Sequence, residues 1–523
     1  MRIVLLRPPD PMGMVDVLSH VQPTNIGYLA ATLIKHGFEV DVWDYELERF
    51  TVKDFLQRVA RFGPQVMGFS CMTPTINNGA AMAALVKEFF PHMTTVLGGA
   101  HSSALPEQTL TEFPQFDAVV LQEGETTLLE FCQRIEGGQS LTGVQGLVHR
   151  CDGEIVREKP REFGDIDSFP WPARQLYQHR AQQFGHSTRG FSNKLQSTEI
   201  FTSRGCPYHC TFCAIVATFG RSVRWRALDD VFAETEECRK RWNIQHFVIA
   251  DDTFGLKHGR AEELSAGFER LKLQSWSCDT RVDCVNKEIL HAMARSGCTK
   301  VAFGIESGSP RVIALNKKKI TLDRVEEAVR WAWEAGIRHV EGNFIVGSHP
   351  DEDFDDIDQT IRLMRRLKLS FASVSVIVPY PGTEDYKVMD ERGYIYSKDW
   401  SHYVMFGQTP KWRTANFASE DLLRLQKKIN KSFYLNPRYI TDILFKIRSL
   451  SELGYYVKAG LTFTKWIMGM DFVKQNPTAD LRNVIAQQKQ ELAAAGFQPA
   501  QHEPGCPVVE TAAHAATAPA SGA

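Results

Sequence analysis

Three cysteines close together could do chemistry: Cys206, Cys210 and Cys213, in RGCPYHCTFC at 204–213. Their C-x3-C-x2-C spacing is too tight for three independent core thiols. It also leaves a tetrahedral metal centre one ligand short. Three thiolates suit a [4Fe–4S] cluster that keeps one iron open for a small chelating ligand. A zinc knuckle is the alternative, but it calls for a fourth ligand nearby and none follows closely.

Further along lie groups that could complete a site. ADDTF carries the acidic pair Asp251 and Asp252, DTRVD carries Arg281, and GIES carries Glu306. GNFIVGSHPDED contains Ile345 and Gly347, VPYPGT follows at 378–383, and Phe212 precedes the last cysteine of the motif. A guanidinium such as Arg281 can meet a carboxylate through two parallel bonds. Plainer uses exist for each: Asp251 and Asp252 as helix caps, Glu306 in a surface ion pair, Arg281 as a structural cation. The basic GRSVRWR (220–226) could clamp an anion or form a solvated rim. The run Lys317-Lys318-Lys319 reads as a solvated loop.

These groups need a scaffold. Residues 1–145 alternate short apolar runs (3–6, 38–43, 66–70, 94–98, 118–121) with helical stretches, which predicts a Rossmann-like, doubly wound α/β domain. Ligands on such sheets bind at the carboxyl ends of the strands. There the sequence places RPPDPMG (7–13), SCMTPT (70–75), GGAHSSALPE (98–107) and QEGETT (122–127). Gly98, Gly99 and Gly124 would let a large ligand lie against the backbone. Residues 146–192 read as a hairpin turning at Asp152-Gly153, then a linker in which Trp171 and Tyr177 pack.

Residues 193–405 repeat the strand–helix pattern with strands at 199–202, 246–250, 275–280, 300–304, 339–346 and 373–378. This predicts a partial (β/α)6 barrel with its site at the strand carboxyl ends, and the cysteine loop directly follows the first strand. Residues 406–496 read as a small helical domain: one helix starts near Ser419 with an acidic first turn, another at Pro437. Its aromatics, Phe433 to Trp466, are expected to pack this cap on the barrel, or else to line a pocket for a lipid or tetrapyrrole. The Ala- and Pro-rich stretch 497–523, which holds Cys506, is expected to be disordered.

A net charge of −2 gives no argument for nucleic acid as partner. The eleven cysteines are an odd number, and those outside the motif are scattered, so a disulfide scaffold is not expected. Met1-Arg2 runs straight into a strand, with no signal peptide. The longest apolar window, Tyr455–Met470, is broken by Lys458, Gly460 and Lys465, so no transmembrane segment is expected and the location is read as cytoplasmic.

Motif and order together resemble the radical SAM superfamily. Residues 1–145 resemble the cobalamin-binding domain that precedes the barrel in one class of it, the class of the B12-dependent methyltransferases and the anaerobic magnesium-protoporphyrin ester cyclases. The resemblance implies a [4Fe–4S] cluster on Cys206, Cys210 and Cys213, with S-adenosyl-L-methionine chelating the open iron. It places Asp251 and Asp252 at the methionine amino group and Glu306 at the ribose hydroxyls. Ile345 and Gly347 would border the adenine, Phe212 would shield the cluster edge, and Arg281 would meet a carboxylate. Asn343 departs from the family's first glycine at the adenine element.

In the first domain the same resemblance puts Ser70, Cys71, Gly98, Gly99, His101 and Gly124 around cobalamin. The D-x-H-x-x-G run of cobalt-ligating domains is absent, so His101 is expected at the ligand's periphery or as a helix cap. The implied chemistry is a 5′-deoxyadenosyl radical followed by methyl transfer from methylcobalamin to an unactivated carbon. A non-methylating cyclase or ring-rearranging enzyme is the alternative. A tRNA methylthiotransferase would need three further N-terminal cysteines, which are not seen. A non-catalytic cobalamin-binding module would leave the cysteine motif unexplained. The expected partners are a small-molecule, lipid or tetrapyrrole substrate and an electron donor such as flavodoxin or ferredoxin. No residue is assigned as catalytic.

Overall fold

The computed structural model describes residues 1–11, 22–177, 195–405, 409–447 and 481–494, with a few helical positions between 453 and 465. The expectations for 497–523, for Tyr455, Phe463 and Trp466, and for the end of RPPDPMG lie outside the described residues.

The first domain is a seven-stranded sheet in the order β2-β1-β3-β4-β5-β6-β7. Its parallel strands are β1 (Arg2–Arg7), β2 (Glu39–Asp44), β3 (Val66–Ser70), β4 (Thr94–Gly98) and β5 (Ala118–Val120). Val4 and Leu6 face one apolar cluster while Ile3 and Leu5 face another. Burial on both faces is why the strand reads as an unbroken apolar run. The expected hairpin is formed by β6 (Leu147–Cys151) and β7 (Glu154–Arg157). It extends this sheet antiparallel from β5, and its turn uses left-handed Asp152 and Gly153, with φ of 50° and 85°.

The second sheet is six parallel strands in the order β15-β14-β13-β12-β11-β8, an open barrel wall. The strands are β8 (Ser197–Ile200), β11 (His246–Phe254), β12 (Ser275–Thr280), β13 (Cys298–Glu306), β14 (His339–Val346) and β15 (Phe371–Val376). Two run further than predicted. β11 continues through the acidic pair and β13 through Glu306, because register shifts at Ile249/Phe254 and Gly304/Glu306 kink their ends without ending the pairing. Between β8 and β11, β9 (Ser203–Arg204) pairs antiparallel with β10 (Arg224–Trp225) and closes the cysteine loop at its base. One apolar cluster runs continuously from Val4 and Trp43 into Val301 and Phe303 of the barrel, so the two domains share a core.

Helix Ser419–Tyr434 packs on the barrel edge, where the Gln426 side chain donates to the Val374 carbonyl at 2.8 Å. Helix Leu481–Ala494 does not cap the barrel as expected. It lies on the first domain, its Leu481 amide donating to Asn78 at 3.1 Å and its Gln488 side chain accepting from the Val52 amide at 2.8 Å.

Candidate active site

The cysteine loop is held from three sides. The Cys213 amide donates to the Cys210 carbonyl at 3.2 Å, and the Cys206 amide to the Gly220 carbonyl at 3.3 Å. The Thr211 amide donates to the Asn316 carbonyl at 3.3 Å, and Asn316 Nδ2 donates to Ser348 Oγ at 3.1 Å. Asn316 therefore joins the cysteine loop to the turn after Gly347. Thr253 Oγ1 lies 3.4 Å from Cys206 Sγ.

The three thiols are half-buried. Burial pushes Cys210 and Cys213 up, Cys213 to about 11, while Lys318 and Arg281 pull Cys210 back. Among the described residues no three His, Cys, Asp or Glu side chains converge as one ion would require. The three thiols are near enough to raise one another, and three thiolates that leave one iron open are what a [4Fe–4S] cluster takes.

The acidic pair divides. Asp251 is buried, and its carboxylate accepts from the Thr202 amide (2.6 Å) and hydroxyl (2.5 Å) and the Ser203 amide (3.0 Å) and hydroxyl (2.7 Å). It is committed to the backbone leading into the cysteine loop. Asp252 accepts from the Gly205 amide at 2.7 Å, and burial raises its carboxyl to about 6. Neither residue caps a helix.

Arg281 is likewise engaged. Its guanidinium makes a two-bond fork with Asp283 at 2.9 Å each and donates to the Lys318 carbonyl at 2.6 Å. It lies 3.5 Å from the Tyr208 ring centroid and reaches 3.9 Å from Cys210 Sγ. It stacks under the cysteine loop, leaving no free fork for a ligand carboxylate.

Glu306 sits at the kinked end of β13 with φ of 69°, a left-handed conformation rare outside glycine. Its carboxylate accepts from Lys318 Nζ at 2.6 Å. Both side chains are at most a tenth exposed, so Lys318 does not belong to a solvated loop. Gly304 makes room for the pair, since a Cβ there would stand 2.8 Å from Glu306 Oε1 and 3.0 Å from Lys318 Nζ. Lys318 Nζ is 5.9 Å from the Phe212 ring. Ile345 is half-buried on β14, and Gly347 packs against Leu422 of the C-terminal helix.

The carboxyl ends of the first sheet turn toward this loop. Ala104, after β4, would be 3.1 Å from a Cβ on Gly382 of VPYPGT, which in turn would be 3.6 Å from Ala217 beyond the cysteine loop. The E-G-E turn is tied in directly. Arg204 donates to Glu123 and pairs with Glu125, each at 2.8 Å, and Arg224 pairs with Glu123 at 2.6 Å. The stretch 220–226, read as an anion clamp or a solvated rim, is partly interior, with Arg226 buried against Glu234. Arg204 also lies over Tyr28 at 4.7 Å.

Of the residues expected around cobalamin, Gly98 has only Val120 near its absent Cβ, at 3.8 Å. Gly99, with φ of +110°, serves the fold, because a Cβ there would strike the Cys71 carbonyl at 2.3 Å. Gly124 packs on Leu29. Cys71 is buried, and its amide donates to the Gly98 carbonyl at 3.0 Å, while Ser70 accepts from Asn25 at 3.0 Å. His101 is buried with its ring 4.8 Å from Trp400, its Nδ1 3.4 Å from Thr73 Oγ1, and its Nε2 without a partner. Burial lowers its imidazole to about 4, so it is neutral. A bare buried nitrogen and a 53% exposed Met72 at the carboxyl edge of the sheet fit a large, partly apolar group lying there.

Sequence reasoning missed Lys318, Asn316, Thr253 and the Arg204–Glu123 contact. Arg204 and Glu123 each sat inside a quoted motif, so their link was within reach. Nothing marked Lys318 apart from its neighbours.

A parallel open barrel with a three-cysteine loop after its first strand defines the class. The Radical SAM superfamily matches residues 200–382 and the B12 binding domain family matches residues 13–131. The chain is 30% identical over 454 residues to an uncharacterized methyltransferase, PH0819, of Pyrococcus horikoshii, covering 85% of this chain and 95% of that one. It is 27% identical over 489 residues to the cytidylyl-2-hydroxyethylphosphonate methyltransferase of Streptomyces wedmorensis, covering 83% and 90%. In fold it resembles the cobalamin-dependent S-adenosylmethionine radical enzyme OxsB, with a TM-score of 0.69 at 17% identity over 95% of this chain and 75% of that one. The chain is therefore a radical SAM enzyme. It belongs to the branch with an N-terminal B12-binding domain.

Proposed function

We propose that this enzyme is a cobalamin-dependent C-methyltransferase acting on a small-molecule substrate held between the two sheets. The observation that carries this reading is the opposition of the cysteine loop and the carboxyl ends of β4 and β5, fixed after β5 by Arg204 on Glu123 and Glu125. When bound, the cluster and cobalamin supply one-electron cleavage of S-adenosyl-L-methionine and delivery of a methyl group.

The chain's own residues bind, orient and exclude water. Cys206, Cys210 and Cys213 hold the cluster. Arg281 and Thr253 set the environment of its thiolates. Glu306, oriented by Lys318, accepts from the ribose of S-adenosyl-L-methionine, and Ile345 packs on its adenine. Asp252 accepts from its amino group, and Phe212 covers the cluster edge. On the facing side the loops at Ser70–Thr73 and Gly98–His101 receive the corrin. A flavodoxin or ferredoxin supplies the electron, and a cytoplasmic location supplies such a donor.

The test is anaerobic purification with cobalamin present, then turnover with methyl-labelled S-adenosyl-L-methionine. Iron near four and cobalt near one per chain support the two-cofactor reading, and label in the product supports methyl transfer. An unlabelled, oxidised or rearranged product would replace methyl transfer by the cyclase-type alternative.

A further inference from the structure

Helix Ser419–Tyr434 connects the two ends of the barrel. Near its start, Leu422 meets Gly347 at the catalytic end. At its finish, the Tyr434 hydroxyl donates to the Ala372 carbonyl at 2.8 Å, where β15 begins. The surface beyond Tyr434 therefore lies at the end of the barrel opposite the cysteine loop.

That surface combines two features. A cleft of about 990 Å³ runs along this helix to its far end at Leu435–Pro437 and is lined by Arg365, Arg424, Lys427, Lys428 and Lys431, five cations that outnumber Asp358, paired with Lys428 at 2.9 Å, and Asp421, paired with Arg424 at 2.7 Å. Directly after it, helix Pro437–Lys446 buries Ile443, packs Tyr439 on the core and turns Ile440, Leu444 and Phe445 outward. Ile440 is 44% exposed, Leu444 60% and Phe445 91%, next to Leu435 at the cleft rim. Leu453, Val457 and Leu461, helical at four-residue spacing, are exposed as well. Among the described residues no helix is long and apolar enough to cross a membrane.

We infer that this end docks on a lipid bilayer bearing anionic headgroups. Leu444 and Phe445 enter the boundary between headgroups and acyl chains, and the basic cleft lies over lipid phosphates. Large apolar side chains flanked by Lys and Arg are the pattern of a helix lying in the membrane interface. A second copy of the chain is a poorer occupant, because a two-fold contact would set these lysines against one another. Docking by this end leaves the opposite mouth of the barrel open to substrate and electron donor.

Full-length protein carrying its cofactors is floated with phosphatidylcholine vesicles, with and without phosphatidylglycerol. Binding is expected only with phosphatidylglycerol and should weaken as salt rises. Leu444→Glu with Phe445→Glu should abolish it, and Lys428→Gln with Lys431→Gln should weaken it about tenfold or more. All four positions are exposed or rim the cleft, and unchanged iron content and thermal midpoint check that the variants fold. Absence of wild-type binding, or binding that both variants retain, overturns the inference. So does light scattering that finds a wild-type dimer dissociated by Phe445→Glu, together with no vesicle binding.

Discussion

Arg204 and Glu123, 81 residues apart, form an ion pair of 2.8 Å with side chains 3% and 6% exposed. One belongs to the strand that enters the cysteine loop, the other to the turn after β5. The two cofactor domains are thus joined by a buried charge contact at their facing ends.

Without Glu123, Arg204 keeps Glu125 at 2.8 Å, but Arg224 loses its carboxylate and the charge contact between the domains is halved. Glu123→Gln should therefore cost about 3 kcal/mol, read as a lower thermal midpoint. It should reduce iron and cobalt retention together. A loss of cobalt alone would mean that the contact serves only the first domain.

Replacement of Cys206, Cys210 or Cys213 by Ala should abolish iron loading and cleavage of S-adenosyl-L-methionine. Retained cleavage in any of them would refute the cluster assignment.

Lys318→Met should leave iron content unchanged but weaken S-adenosyl-L-methionine binding about tenfold, since the Glu306 carboxylate loses the cation that orients it. Gly304→Ala should act similarly by crowding the same pair. Calorimetric titration of the cluster-loaded protein measures both. Unaltered affinity in Lys318→Met would remove Glu306 from the binding site.

Glu352 is fully buried, and burial raises its carboxyl from 4.5 to about 8. Its Oε2 accepts from the Ser348 amide at 3.0 Å, and its Oε1 has no partner. The folded chain therefore holds a proton that the unfolded chain has released. A raised pKa gives stability that is present below the unfolded value and lost as pH rises through the folded one. His101, lowered to about 4, acts oppositely but only below its ordinary 6.5. Glu46 and Asp385, which burial raises to about 7, act in the same sense up to that pH, so between pH 7 and 8 the cost of about 1.4 kcal/mol per pH unit should be that of Glu352. Glu352→Gln should flatten that slope in denaturation experiments across this window.

Both sheets were legible because buried parallel strands are written as apolar runs, as in Arg2–Arg7. The cysteine loop was legible from spacing alone. What escaped depended on contacts distant in sequence. Lys318 looks like Lys317 and Lys319 until Glu306 and Gly304 surround it. Asp251 looks like a ligand-binding acid until Thr202 and Ser203 occupy it. The last helix carried no mark of which domain it would cover, because amphipathicity predicts a buried face but not its partner. The hairpin at 147–157 was recognised from Asp152-Gly153, yet its edge pairing with β5 was not.

The four hydrogen bonds that Asp251 draws from Thr202 and Ser203 involve no iron. The backbone entering the cysteine loop is anchored before any metal arrives. Oxidative loss of the cluster should then leave an apo-protein that keeps its shape there. Reconstitution with iron and sulfide should then restore the cluster without refolding.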